Sequence, residues 1–364
     1  MPIRIGKLEL ASNLFLSPLA GYTNLPFRLI IREIGGVGLC TTDLVNARSL
    51  LERNRKALKL IETTTADRPL AVQLYGTVPE EMRDASLLLQ SLGVDIVDIN
   101  MGCPVRKICR NGGGSALMSD HIATARIVAT MVAAVNIPVT CKMRLGWDDD
   151  NLTAPELARA LEAAGAAAIT VHGRTRQQGF AGKVNLAGIR AVVEAVKIPV
   201  TGNGDITTVR AGKRMFDETG CAAISIGRGA FYNPWIFRQI AGSVGSAAPS
   251  APSFESAEPT LDERLSIMAR HLDLMVEIFG ESIGCRMFRK VALQYSRRFG
   301  PAKEFDKRIV RLETRAVFDE IVTTYRNWRA QFLDKNQQLR SRYEPRPLEA
   351  VSSIAAPKGP NELW

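Results

Sequence analysis

The chain has 364 residues, 46% of them hydrophobic, and a net charge of +10. That length allows one large domain or two ordinary ones. It contains no apolar run near the roughly 18 residues of a membrane-spanning helix, and Met1-Pro2-Ile3-Arg4-Ile5 lacks the apolar region of a secretory signal. The six cysteines are scattered, without the close pairs of a zinc site or a disulfide framework, so a reduced, cytoplasmic protein without metal or membrane attachment is expected. The positive balance fits a polyanionic partner or simple solubility equally well.

Apolar or β-branched runs recur along the first two thirds of the chain: Leu14–Leu19, Val37–Thr42, Leu70–Leu74, Val94–Ile99, Ile137–Cys141, Ala167–Val171, Ile198–Thr201 and Ala222–Ile226. Stretches of helical period, such as Pro155–Ala164 and Gly188–Val196, lie between them. Eight such units are the expected content of an α/β (β/α)8 TIM barrel. A doubly wound sheet is the alternative, but it would place one glycine-rich fingerprint early. Residues 1–242 are therefore expected to form the barrel. Residues 243–260, rich in Ser, Ala and Pro, read as a linker. From 261 to about 340 the pattern is helical, with Leu265, Met268, Leu272, Met275, Val276 and Phe279 in one apolar stripe that predicts a small all-α domain. Residues 341–364 read as a flexible tail.

Active-site groups of a barrel sit at the carboxyl ends of its strands, and here those ends are polar. The first reads Ser17-Pro18-Leu19-Ala20-Gly21 and the third Gln73-Leu74-Tyr75-Gly76. The fourth delivers Asn100 and then Cys103, a thiol between Gly102 and Pro104 that is placed to meet a substrate rather than to fill a core. The fifth delivers Lys142-Met143-Arg144 and the sixth His172-Gly173-Arg174. Gly202-Asn203-Gly204-Asp205 and Gly227-Arg228-Gly229 end the seventh and eighth, where barrels of this kind commonly bind a phosphate. Lys142 would be costly to bury unpaired and suits the edge of an anionic flavin. No cluster reads as a metal site, and no nucleophile elbow of a serine hydrolase is present.

Pro18-Leu19-Ala20-Gly21-Tyr22-Thr23, Gln73-Leu74-Tyr75-Gly76, Asp98-Ile99-Asn100-Met101-Gly102-Cys103-Pro104, Lys142-Met143-Arg144-Leu145-Gly146-Trp147, His172-Gly173-Arg174-Thr175 and Asn203-Gly204-Asp205 together resemble the tRNA-dihydrouridine synthases, most closely the bacterial B-type, from about Ile3 to about Arg329. The resemblance implies an FMN-dependent oxidoreductase that uses NADPH to reduce a D-loop uridine of tRNA, position 17 if the B-type pattern holds. Carried onto this chain, it implies that Pro18, Leu19 and Ala20 line the flavin and that Gln73 and Lys142 contact its ring system. Asn203, Gly204, Asp205, Gly227 and Arg228 would hold the ribityl phosphate with His172 nearby. Cys103 would be the proton donor, and Asn100 and Arg144 would face the uracil. The tRNA body is expected on the basic helical region, above all on Arg289, Lys290 and Arg297, which fall at spacings that can share a helical face. The chain departs from the pattern at Arg289-Lys290-Val291, where family members often carry Arg-Lys-His. A monomer is expected. Two other readings stay open on the sequence: an FMN barrel acting on a small molecule, and a catalytically silent tRNA-binding module.

Overall fold

The structure, a computed structural model, describes residues 1–244 and 258–345. Most of the expected linker and tail lies outside these residues.

Eight parallel strands close into a barrel: β1 (Leu14–Leu16), β2 (Leu39–Thr41), β3 (Leu70–Tyr75), β4 (Ile96–Met101), β5 (Val139–Arg144), β6 (Ala168–His172), β7 (Val200–Asn203) and β8 (Ala223–Ile226). Each pairs with the next, and β8 returns to β1 through Ile224–Leu14 and Ile226–Leu16. A hairpin of Ile3–Ile5 and Leu8–Leu10 precedes the barrel. Its two-residue turn needs a positive φ, which Gly6 supplies at 55°.

The two-residue period of the strands sorts the side chains. Val97, Ile99 and Met101 of β4 face the helical layer, as do Val139, Cys141 and Met143 of β5. The alternate residues face the lumen in three tiers. At the amino end Phe15, Leu39, Ala71, Ile96, Ala168 and Ala223 pack on Ile5 and Leu10 of the hairpin, which plugs the barrel. Thr41, Asp98, Thr140, Thr170, Thr201 and Ser225 form a polar middle tier around a small void. Gln73, Asn100, Lys142, His172 and Asn203 stand at the carboxyl end.

The expected and observed strands differ at their ends. β4 and β5 run on through Asn100 and Arg144 instead of stopping at Ile99 and Cys141, and Asn100 is in register with Lys142. Polar residues ended the apolar runs in the sequence, but inside a barrel they bond one another and the ladder continues. β1 stops at Leu16, before Pro18, which has no N–H to give.

The helical domain contains Leu261–Phe279, Glu281–Tyr295, Lys303–Ile309 and Arg315–Arg329. Thr260 and Glu263 form a reciprocal capping box at the start of the first helix. Leu265, Met268, Leu272 and Met275 of the apolar stripe pack with Phe288, Phe305, Phe318 and Tyr325 in a core separate from that of the barrel. Val276 and Phe279 are only partly buried. The first residues of the expected tail are packed against this domain, with Tyr343 edge-on to Phe332 at 4.9 Å.

The domain docks on the barrel's first helix, Leu25–Ile34. His271 lies against Phe27, which stacks on Phe231 at 4.4 Å, and Arg270 pairs with Glu33. Beneath this contact Arg28 is fully buried. It makes a two-pronged bond to Asp67 and donates to the carbonyls of Thr23 and Glu62.

Candidate active site

A cavity of about 960 Å³ opens at the carboxyl end of the barrel. All the barrel residues expected at the site line it: Pro18, Leu19, Ala20, Gln73, Asn100, Cys103, Lys142, Arg144, His172, Asn203, Gly204, Asp205, Gly227 and Arg228.

One side is built from β4 and the loop that follows it. Asn100 accepts at Oδ1 from the backbone N–H of Cys103 at 2.9 Å and of Gly102 at 3.3 Å, which turns the chain out of the strand. The Cys103 carbonyl accepts from Ser115 N at 3.0 Å and closes the loop on itself. Gly114 is required there: its φ is 59°, and a Cβ would sit 2.7 Å from the Cys103 carbonyl oxygen. Burial is the main cause that pushes the Cys103 thiol up to about 11, so it is protonated at neutral pH. A short helix, Arg106–Arg110, rides on this loop and brings Arg106, Lys107 and Arg110 to the cavity rim.

Arg144 lines the cavity with part of its guanidinium already engaged. It is buried, and its Nε donates to Gly102 O at 2.7 Å while Nη1 donates to Thr175 O and Gly179 O. Much of its guanidinium is thus committed to fastening the cysteine loop. It also lies 5.4 Å from the centre of the Phe180 ring, and Arg228 takes the same distance to that ring.

The opposite side holds the phosphate-type features. Lys142 Nζ donates to Asn203 Oδ1 at 3.0 Å, and Asn203 Nδ2 donates to Ser225 O. Burial lowers Lys142 to about 8, helped by Arg144 and opposed by Asp98. His172 is pushed well down, by burial first and then by Arg144, Lys142, Arg174 and Arg228, so it is a neutral imidazole. Asp205 adopts φ 52° and bridges Arg174 at 2.7 Å and Arg228 at 3.3 Å. Arg228 Nη1 is buried without a hydrogen-bond partner among the described residues. A buried cationic donor without an acceptor is costly, and an anion in the cavity would complete it.

The helical-domain cations do not line this cavity. Arg289 Nε donates to Leu312 O at 2.9 Å. Lys290 crosses to the barrel, where Nζ donates to Gly21 O at 2.8 Å and sits 4.3 Å from the centre of the Tyr22 ring. Burial lowers Lys290 to about 8, with Asp43 opposing. The expected shared face is not formed: the helix ends at Tyr295, and Arg297 lies beyond it in a short 3-10 turn, over the ring of Tyr232. Sequence reasoning also missed Phe180 and Asp43, and it named Arg174 only as a strand-end residue, without its pairing to Asp205. Phe180 was detectable as the aromatic that follows the polar run Gln177-Gln178-Gly179, whereas the buried pairing of Asp43 with the Gly21 N–H has no local signal.

A barrel with this cavity at its carboxyl end and a docked helical domain defines a class that comparison makes specific. The family model described as "Dihydrouridine synthase (Dus)" matches residues 15–330, and the chain belongs to that family. It is 38% identical to a probable tRNA-dihydrouridine synthase of Rickettsia conorii, over 83% of this chain and 90% of that protein. It is 37% identical to tRNA-dihydrouridine synthase B of Pseudomonas aeruginosa, over 85% and 92%. Among solved structures, histamine dehydrogenase from Rhizobium sp. 4-9 aligns with a TM-score of 0.51 at 14% identity, over 80% of this chain and 50% of that one, a likeness of fold alone. The chain is thus a B-type-like oxidoreductase that reduces uridine in tRNA to dihydrouridine. No helix among the described residues is long and apolar enough to cross a membrane.

Proposed function

We propose that the cavity binds FMN and that the enzyme uses NADPH to reduce a D-loop uridine, at position 17. The observation that carries this is the division of the cavity. One side offers Lys142, Asn203 and an Arg228 with an unpartnered buried Nη1; the other offers Asn100 and a protonated thiol. The first side fits a phosphorylated, ring-bearing cofactor. Pro18, Leu19 and Ala20 would form its wall, and Gln73 and Lys142 would meet the ring. Asn203, Gly204, Asp205, Gly227 and Arg228 would hold the phosphate beside neutral His172. Bound FMN would supply a hydride to C6 of the uracil.

The residues of the other side then complete the addition. A proton must reach C5 as the enolate collapses, and the Cys103 thiol gives it, becoming a thiolate that solvent reprotonates. Asn100 and the free edge of Arg144 would face the base. The base must leave the folded tRNA to enter the cavity. Arg106, Lys107 and Arg110 line the cavity and Arg297 of the helical domain is exposed; these cations would meet phosphates beside the base.

The test is direct. Unmodified tRNA is incubated with FMN-loaded protein and NADPH, and dihydrouridine is mapped. Dihydrouridine at position 17 is expected; modification elsewhere would refute the site assignment, and no dependence on FMN would refute the cofactor.

A further inference from the structure

We propose that Asp98 is a positioning residue that sets the direction of a chain of side-chain amides and thereby holds the loop bearing Cys103. Asp98 is buried in the middle tier of the lumen, below the cavity. Its Oδ1 accepts from Thr140 Oγ1 at 2.7 Å and its Oδ2 from Gln73 Nε2 at 2.6 Å. Gln73 Oε1 accepts in turn from Asn100 Nδ2 at 2.6 Å, and Asn100 Oδ1 accepts from the backbone N–H of Cys103.

The two ends of an amide are nearly the same shape, so packing alone does not orient Gln73 or Asn100; their bonding partners do. A carboxylate only accepts. It therefore turns the Gln73 NH2 towards itself and its carbonyl towards Asn100. Asn100 must then give its NH2 to Gln73, which leaves its carbonyl facing the N–H groups of Gly102 and Cys103. With Asp98 removed, either amide can reverse. A reversed Asn100 would present NH2 to the N–H of Cys103, two donors facing each other, and the first residues of the loop would lose their anchor. The charge of Asp98 in the middle tier thus orients Gln73 on the neighbouring strand β3 and, through it, Asn100 on its own strand β4. This inference rests on the proposed roles of Asn100 and Cys103, but the orientation can be tested without turnover.

The experiment measures alkylation of Cys103 by iodoacetamide in the full-length protein. Trypsin separates the Asp84–Arg106 and Ile108–Arg110 segments, so Cys103 and Cys109 are read independently. Asp98→Leu should speed Cys103 alkylation about fivefold or more, because the anchored loop opens more often. The buried thiols of Cys40 and Cys221 should keep their rates. Asp98→Asn retains an acceptor and should fall between Asp98→Leu and the native protein. Gln73→Leu cuts the chain at its second link, leaves Asp98 with Thr140, and should reproduce the faster alkylation even if Asp98→Leu fails to fold. In turnover, Asp98→Asn should lower kcat with little change in KM for tRNA. Native Cys103 rates in a folded Asp98→Leu or Gln73→Leu protein would overturn the proposal, as would a parallel rise at Cys40 and Cys221. Failure of the native enzyme to make dihydrouridine would overturn the proposed function and leave the alkylation result standing.

Discussion

The barrel mouth and the helical domain are both rich in cations and spend them differently. At the mouth, Lys142, Arg144 and Arg228 converge on one cavity and are held there by Asn203, three loop carbonyls and Asp205. In the helical domain, Arg289 and Lys290 turn inward to carbonyls of the protein, and Lys290 joins that domain to the loop that lines the cavity. Lys303, Lys307 and Arg311 are left exposed. A side chain on a closed barrel's inner face has only the lumen to enter. One on a helix surface can find a neighbouring carbonyl as readily as a phosphate, so density of charge marks a binding surface far less reliably than position on a strand.

The contrast can be broken at several points. Cys103→Ala should lower turnover by about 10²- to 10⁴-fold, the range of a lost general acid, with FMN and tRNA binding retained; single-turnover kinetics on unmodified tRNA would show it, and native rates would remove the thiol from the reaction. Arg28→Ala should cost about 3–5 kcal/mol of stability, because Asp67 is left buried and unpaired. Denaturant unfolding would measure this, and a loss under about 1 kcal/mol would mean that the junction below the docked domain tolerates the change.

Lys290→Met tests whether this cation braces the loop that lines the cavity or serves the RNA surface. It should slow tRNA-independent NADPH oxidation severalfold and leave the salt slope of tRNA binding unchanged. The triple change Lys303→Ala, Lys307→Ala and Arg311→Ala should do the reverse, reducing the slope of log K against log salt by about 2 if each cation meets one phosphate. The opposite pattern in the two proteins would invert the comparison.

The smallest effect is on pH. Burial raises Asp43 to about 7, with the N–H groups of Gly21 and Leu44 and the charge of Lys290 opposing. A carboxyl raised above its unfolded value contributes stability at low pH that is lost as pH rises through the folded value. The melting temperature of the native protein relative to Asp43→Asn should therefore fall between pH 5 and pH 8. A native-minus-variant difference that rises or stays constant over that range would contradict the assignment.

The barrel was legible because its strands are short apolar runs with a two-residue period, and because polar residues cluster where each run ends. Asn100, Cys103, Lys142 and His172 could be named from that alone. The strand ends were misjudged for the same reason: Lys142 and Arg144 look like loop residues when only hydropathy is read, yet both are paired in the ladder. The direction in which Arg144 points was not legible, since its partners Thr175 and Gly179 come from the next loop.

By itself, then, the sequence determined the alternation of strands and helices, the carboxyl-end location of the chemistry and, through its motifs, the family. Those are properties of local period and local residue type. Only the tertiary structure decided how each polar group is used. Lys290 meets Gly21 across 269 positions of chain and Asn100 meets Gln73 across 27. A hydrogen bond depends on where both partners are held, and barrel closure and domain docking supply that information.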